Sequence, residues 1–488
     1  MGSKDLRAWI ETLEAEGELK RIKAEVDWEG GELSAIAWAA IAQQGPALLF
    51  ENIRDYKKGR CTKLFANGLA SFGRTAMMMG LPKDTPREKL TEVMAKRYKE
   101  PVKPVHVKTG PVKENIIKGR DIDLFSFPVP KWNHLDGGRY INTYCAVVTR
   151  DPDKGQLNAG IYRGMISGKN KIGVYLVPVK DWGLHYSKYQ AMGKPMPVAV
   201  VYGWDPALLV AAGTAFSSEC EYDMAGSLRQ EPVELVSCET SDLEVPASAE
   251  IVVEGFISPD PATYEMEGPF GEWTGFYGEA KKRPVMEVSC ITHRNDPIFR
   301  GGPIGRRPGT AIEAKFCMEP SWSALYWNIL DSQGVPGVLD IMKGHMYLAI
   351  KIHKTYQGQA RQVAAALWGS KATSELPRIL IVVEEDVDIY KPDALLYACA
   401  VYADFKEDLV VFPAELGAGL APILSLEERD ELKWGAGLEN KLLIDATTNW
   451  RTHPICPEWG NRRYPPSCAE PPPGITELVQ RRWKEYGF

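Results

Sequence analysis

Glu267 and Glu272 stand five residues apart in Tyr264-Glu-Met-Glu-Gly-Pro-Phe-Gly-Glu-Trp-Thr-Gly-Phe-Tyr277, a stretch broken by Gly268, Pro269, Gly271 and Gly275. Glycine and proline at this density disfavour a helix or a central strand, so the chain must turn here and can bring two carboxylates close to a ligand. Phe270, Trp273, Phe276 and Tyr277 would wall the turn from water, and desolvation raises a carboxylate's pKa toward the range useful to a general acid. A plain surface turn with two solvated glutamates has the same composition. The chemistry therefore depends on partners elsewhere in the chain.

Asn158 and Arg163 lie in Leu157-Asn-Ala-Gly-Ile-Tyr-Arg-Gly-Met-Ile166, a mostly apolar stretch that should be half buried. A buried arginine needs a carboxylate, and Glu267 is a candidate. Glu219 and Glu221 follow an apolar segment in Ser217-Ser-Glu-Cys-Glu-Tyr-Asp-Met-Ala-Gly226. Asn, Asp, Glu and His donors together suit a hard divalent ion such as Mg or Mn, above all one also held by a phosphate. The plainer readings are a turn or cap role for Asn158 and a packed or surface histidine at His185. There is no Walker loop, no dinucleotide fingerprint opening a helix, no His-Glu-x-x-His and no Gly-x-Ser-x-Gly. Gly301-Gly-Pro-Ile-Gly-Arg306 contains a proline and reads as a turn.

These residues need a scaffold. At 488 residues the chain exceeds the size of a single core, so two or three domains are expected. Residues 1–110 read as an N-terminal α/β region: Asp5 caps a helix carrying Leu6, Trp9, Ile10 and Leu13, a second helix runs Leu33 to Gln44, and Pro46 to Phe50 is a buried strand. Residues 111–315 are dominated by short β-type runs such as Tyr144 to Val148, Ile172 to Val177, Val198 to Tyr202, Ile251 to Ile257 and Val285 to Ile291, the texture of an antiparallel barrel or sandwich. In residues 316–460 helical patterns (Ala311 to Met318 at its edge, Gln357 to Trp368, Asp393 to Tyr402) alternate with apolar strands such as Ile379 to Val383, a βαβ signature. Residues 461–488 pass through Pro471-Pro-Pro-Gly474 into a helix, Glu477 to Tyr486, suited to a dimer contact.

Composition narrows the partners. A net charge of −6 argues against nucleic acid, and the short clusters Lys57-Lys58, Lys281-Lys282-Arg283 and Arg481-Arg482 read as solvated faces. Nine scattered cysteines with no Cys-x-x-Cys pair predict reduced thiols. The sequence contains no run of about 18 apolar residues and its first residues form no apolar signal region, so a cytoplasmic protein is expected.

Four ordered motifs, Asn158-x-x-Ile-Tyr-Arg163, Asp242 to Gly255, Glu267-Gly-Pro-Phe-Gly-Glu272 and Asp445-Ala-Thr-Thr-Asn-Trp450, resemble the UbiD family of reversible decarboxylases, as does Gly193 to Gly203; the likeness spans nearly the whole chain. It implies an N-terminal α/β segment, a central split β-barrel that binds flavin and a C-terminal α/β oligomerisation domain. It implies a cofactor set of prenylated FMN, Mn2+ or Mg2+, and K+, with a flavin prenyltransferase (UbiX-like) supplying the flavin and a homodimer or higher homo-oligomer as the assembly. Arg163, Glu267 and Glu272 match the family's catalytic set: Arg163 would bind the substrate carboxylate and pair with Glu267, and Glu272 would deliver the proton that replaces CO2. Ile161, Tyr162 and Arg163 fall where family members touch the flavin, and Asn158 and Glu221 where they hold the metal. Glu221 is preferred to Glu219 because Tyr222 and Ala225-Gly226 keep the family's register. The third metal position departs from the pattern: Val177-Pro-Val-Lys-Asp-Trp-Gly-Leu-His-Tyr186 offers Asp181 there and keeps only the second histidine, so the third ligand is Asp181 or, alternatively, His185. Lys180 is placed to meet the cofactor phosphate. The loop Phe412 to Pro422 is expected to face the substrate pocket, its small residues leaving room for a bulky ring.

The expected activity is decarboxylation of an aromatic or α,β-unsaturated acid, or the reverse carboxylation. Two other classes would fit parts of the sequence: a metal-dependent hydrolase or lyase using the two glutamates without flavin, and a non-catalytic subunit of a larger carboxylase.

Overall fold

The computed structural model describes residues 3–216, 220–373, 377–425, 427–430, 437–466 and 471–487; Glu219 lies outside them. At the N-terminus Asp5 accepts from Ala8 N at 2.9 Å and starts the helix Leu6–Ala15, whose Leu6, Trp9, Ile10 and Leu13 are buried. The helix packs near a four-stranded sheet in the order Leu19–Ile22, Ala47–Phe50, Lys63–Ala66, Ile298–Arg300. The last strand comes from far along the chain and pairs parallel with Lys63–Ala66, so the N-terminal unit is completed by residues that follow the central sheet.

That central sheet runs Tyr140–Asn142, Gly164–Gly168, Lys171–Val174, Val285–His293, Ile251–Ile257, Met196–Tyr202, Ala146–Arg150, Leu157–Gly160, with Asn115–Lys118 beside Val285–His293. Its neighbouring pairs are antiparallel, as the short β-type runs predict. Its two ends are not far apart. Leu157–Gly160 is the edge at one end, yet Gly164–Gly168, next to the other end, begins four residues later, and four residues span at most about 14 Å. The sheet must therefore curl until its edges face, and Ile161, Tyr162 and Arg163 cross the seam.

Three helices interrupt what the sequence reads as a run of strands. Pro206–Ala212 starts where Asp205 accepts from Ala207 N at 2.7 Å ahead of a first-turn proline; Glu221–Arg229 is wholly buried; Asp181–Ala191 lies against the strands Ala146–Arg150, Leu157–Gly160 and Met196–Tyr202. The last of these carries Gly183 and a mixed polar face, which hides its periodicity.

The helix predicted over Ala311 to Met318 is the start of a longer one, Glu313–Ser332, which continues through Pro320 because its buried face, including Cys317, Ala324 and Tyr326, packs between the core of the central domain and the next sheet. That sheet runs Val338–Lys343, Tyr347–Ile352, Ile379–Val383, Leu438–Ala446, Leu409–Leu416, and its three middle strands are parallel. Gln359–Trp368 packs in the core on one side and Pro392–Tyr402 in a separate cluster on the other. Phe412 to Leu416, expected as loop, belong to the edge strand; the loop proper starts at Gly417. The C-terminal helix is Ile475–Arg481, followed by a 3-10 turn Trp483–Tyr486, both on the surface. No helix among the described residues is long and apolar enough to cross a membrane.

Candidate active site

The glycine-rich stretch folds as two nested hairpins. Glu265–Glu267 pairs with Lys281–Arg283, and inside it Phe270–Gly271 pairs with Tyr277–Gly278. Glu267 closes the outer strand and Glu272 follows the inner one, its N donating to Phe276 O at 3.0 Å. Arg163 reaches both from the seam: Nη2 donates to Glu267 Oε2 at 2.7 Å and Nη1 to Glu272 Oε1 at 2.6 Å. Two carboxylates 104 and 109 residues away are thus forked by one guanidinium. All three side chains are buried, at 9%, 0% and 5% exposure for Arg163, Glu267 and Glu272.

The electrostatics divide their roles. Burial works against charge on Arg163, but Glu267 and then Glu272 outweigh it and its pKa is raised. Burial raises the pKa of Glu272, and Arg163 offsets this only in part. A buried carboxyl whose acid form is favoured, held by one cation, is suited to proton delivery. Glu272 also lines a cavity with Arg163, Tyr175, Gly419, Leu420 and Arg429, so the C-terminal loop faces the same space. A second cavity of about 350 Å³, lined by Glu272, Phe276 and Tyr277 together with Trp38, His134 and Arg307, is in the size range of small-molecule sites.

Close backbone contact fixes the hairpins. Gly137 N donates to Pro269 O at 2.8 Å, and a side chain at Gly137 would overlap Gly268 O. Gly137→Ala is therefore expected to push the loop off its support, lowering thermal stability by about 1–3 kcal/mol and turnover with it; thermal unfolding and a rate assay check both.

A second cluster lies on the other side of the seam. Asn158 Nδ2 donates to Glu221 Oε1 at 3.1 Å and Ala159 N to Glu221 Oε2 at 2.8 Å. Burial pushes Glu221 up to about 7, opposed by the Ala159 N–H and reinforced by the negative charge of Asp181. Asp181 begins its helix and accepts from Lys371 Nζ at 2.6 Å, a residue the sequence reading missed. Lys180 occupies the cap position of that helix. His185, one turn after Asp181, is buried and its Nδ1 meets Thr149 Oγ1 at 2.9 Å; burial lowers its pKa. Tyr162 stacks on Trp182 with centroids 4.6 Å apart and donates to Asn158 Oδ1 at 3.2 Å. It folds back over Gly160, where a side chain would meet its ring at 2.5 Å. Ile161 is half-buried, its N donating to Ala212 O at 3.3 Å. Among the described residues no three His, Cys, Asp or Glu side chains gather closely enough to hold a metal alone.

Three family models match in order: the 3-octaprenyl-4-hydroxybenzoate carboxy-lyase N-terminal domain over residues 10–94, its Rift-related domain over 103–307 and its C-terminal domain over 316–446. The chain belongs to the UbiD family. It is accordingly a carboxy-lyase, and its reaction is the reversible decarboxylation of an aromatic acid. It is 34% identical to the phenolic acid decarboxylase of Bacillus subtilis, with 94% of each chain covered. In three dimensions it is similar to the closed form of Sedimentibacter hydroxybenzoicus vanillic acid decarboxylase, at a TM-score of 0.86 and 31% identity over 99% of both chains. It is also similar to the UbiD-class enzyme HmfF from Pelotomaculum thermopropionicum in complex with FMN, at 0.80 and 29% over 98% of this chain and 100% of that one.

Within this UbiD-family site the sequence reading leaves out Tyr140, Tyr175 and Arg283. Tyr140 OH donates to Glu267 Oε1 at 2.8 Å, and the guanidiniums of Arg163 and Arg283 lie 4.4 and 4.0 Å from the centroid of the Tyr175 ring. Arg283 corrects the reading of Lys281-Lys282-Arg283 as a solvated face: Lys282 is exposed, but Arg283 is buried, because strand pairing turns alternate side chains inward. The aromatic wall also differs from expectation. Phe270 is buried, but Phe276 is 49% exposed, and Tyr140 and Tyr175 do much of the enclosing.

Proposed function

We propose that this carboxy-lyase works on prenylated FMN with Arg163, Glu267 and Glu272 as its catalytic set. The observation that carries the reading is the Arg163 fork across two buried carboxylates, one of which lines a cavity. The FMN complex of HmfF, and the complex of its evolved dimeric form with prFMN, support the flavin. The residues fit such a group. Asn158, Glu221 and Asp181 offer oxygen donors suited to Mn2+ or Mg2+, and the negative charge of Asp181 adds to the cost of ionising buried Glu221, which a bound cation would offset. The helix beginning at Asp181, capped by Lys180, suits a phosphate. Asn158, Glu221 and Asp181 would hold the metal, Lys180 the phosphate, and Ile161 and Tyr162 the flavin; K+ completes the set. When bound, the flavin supplies the sink for the electrons left as CO2 departs.

The chain does the rest. Arg163 binds and orients the acid's carboxylate, Glu267 anchors Arg163, and Glu272 gives its proton to the carbon that has lost CO2. In this reading a flavin prenyltransferase supplies the cofactor, the protein is cytoplasmic, and exposed Ile475, Leu478 and Trp483 at the C-terminus meet a second copy. A flavin-free hydrolase or a non-catalytic subunit is not favoured, given the family and the intact Arg163, Glu267 and Glu272. Release of CO2, or exchange of labelled CO2, from 4-hydroxybenzoate, vanillate or 3,4-dihydroxybenzoate by flavin-loaded protein is the expected result. Inertness of loaded protein toward all of them would count against phenolic substrates.

The metal assignment has its own test. Asp181→Ala is expected to lower Mn2+ affinity by about 100-fold or more, while His185→Ala retains the ion. Metal content of the purified variants checks this, and the opposite pattern would make His185 the ligand.

A further inference from the structure

We propose that Arg283, assisted by Tyr140, is a positioning residue that keeps Glu267 the ionised member of the glutamate pair and so leaves the transferable proton on Glu272. The inference rests on the decarboxylase reading for its meaning but on geometry for its content. Strand register sets it up: Glu267 pairs with Lys281 and Glu265 with Arg283, so Arg283 is the diagonal neighbour of Glu267 on one face of the hairpin. Its Nε lies 3.3 Å from Glu267 Oε2, the oxygen that also accepts from Arg163, while Tyr140 OH serves the other oxygen at 2.8 Å. Among the described residues Glu267 is therefore ion-paired with two guanidiniums and accepts from a hydroxyl, whereas Glu272 is ion-paired with one guanidinium. Tyr175 lies beneath both arginines and keeps their planes in place.

The charge count gives this asymmetry a purpose. With Glu272 protonated, Arg163, Arg283 and Glu267 sum to one positive charge, which a monoanionic acid neutralises. Once Glu272 has given its proton and CO2 has left, the four groups sum to zero without the acid. A buried site thus stays balanced at both ends of the step, which one arginine alone could not achieve. The other charged or titratable groups around the pair include Lys281 and Glu279 on the outer hairpin, Tyr277 on the inner one, Asp136, which accepts from Gly271 N at 2.9 Å, Arg429 from the C-terminal segment, and His134, Arg306 and Arg307, which share the second cavity with Glu272.

Infrared spectroscopy of protein labelled with 13C-glutamate tests the assignment without substrate. In the wild type near neutral pH, a component of the carbonyl band of protonated glutamic acid, read by difference so that the acid form of Glu221 cancels, is expected to vanish in Glu272→Gln and survive in Glu267→Gln. In an Arg283→Met background the band should instead survive Glu272→Gln, the proton having moved to Glu267, and Arg283→Lys should restore the wild-type pattern. Tyr140→Phe, which keeps the ring, should shift the pattern the same way to a smaller degree and serves if Arg283→Met does not fold. A band that depends on Glu272 alone in every background, or no such band in the wild type, would overturn the proposal. Failure to decarboxylate phenolic acids would instead count against the functional reading, because the band is read on resting protein.

Discussion

Glu272→Gln is expected to keep its cofactor and its fold yet lose turnover by about 10²–10⁴-fold, the contribution of a positioned general acid. The substitution removes a proton and almost no volume, and the amide can still accept from Arg163 Nη1, so packing has no reason to fail. The same carboxyl fixes the sign of the pH dependence. Burial raises the pKa of Glu272, and only the protonated form can deliver. Turnover should therefore be present below that raised pKa and fall as pH rises through it. Steady-state rates across pH for the two proteins check both statements. Full activity in Glu272→Gln would remove this residue from the role of acid.

Arg163→Ala should damage binding, catalysis and stability together. It takes from Glu272 the guanidinium that is ion-paired with it and from Glu267 the nearer of two, in a setting where neither carboxyl is more than 5% exposed. Removing one partner of a buried ion pair costs about 3–5 kcal/mol, because the charge left behind is unpaired. Taking a proton relieves Glu272, so the loss should be smaller in acid and grow as pH rises. Thermal unfolding at several pH values measures this, and equilibrium binding of a carboxylate inhibitor should be lost in parallel. Unchanged inhibitor affinity would separate Arg163 from substrate recognition.

Much of this site was legible before any coordinates. Glycine spacing located the turn, short apolar runs delivered Ile251–Ile257 and Ile379–Val383 to the residue, and family likeness joined Arg163 to glutamates more than a hundred residues away. That last step is beyond spacing alone, since nothing local in Leu157 to Ile166 specifies which carboxylate will meet its arginine. What went unread shares a cause. Arg283 sits in a basic triplet whose inward residue is set by a partner strand; Lys371 gains its meaning from Asp181, 190 residues earlier; Tyr140 looks like any core tyrosine until its hydroxyl is seen on Glu267. The helix Asp181–Ala191 escaped because its buried residues, Trp182, Gly183, His185 and Tyr186, do not make an apolar stripe. The full length of Glu313–Ser332 escaped because tertiary packing overrides the proline inside it.

The account stands on the proposal that these residues surround a modified flavin. Its most direct test is mass spectrometry, with an absorption spectrum, of the cofactor released from protein co-expressed with a flavin prenyltransferase. The account predicts prenylated FMN at about one per chain. Protein that folds, takes up metal and still yields no flavin under those conditions would contradict it.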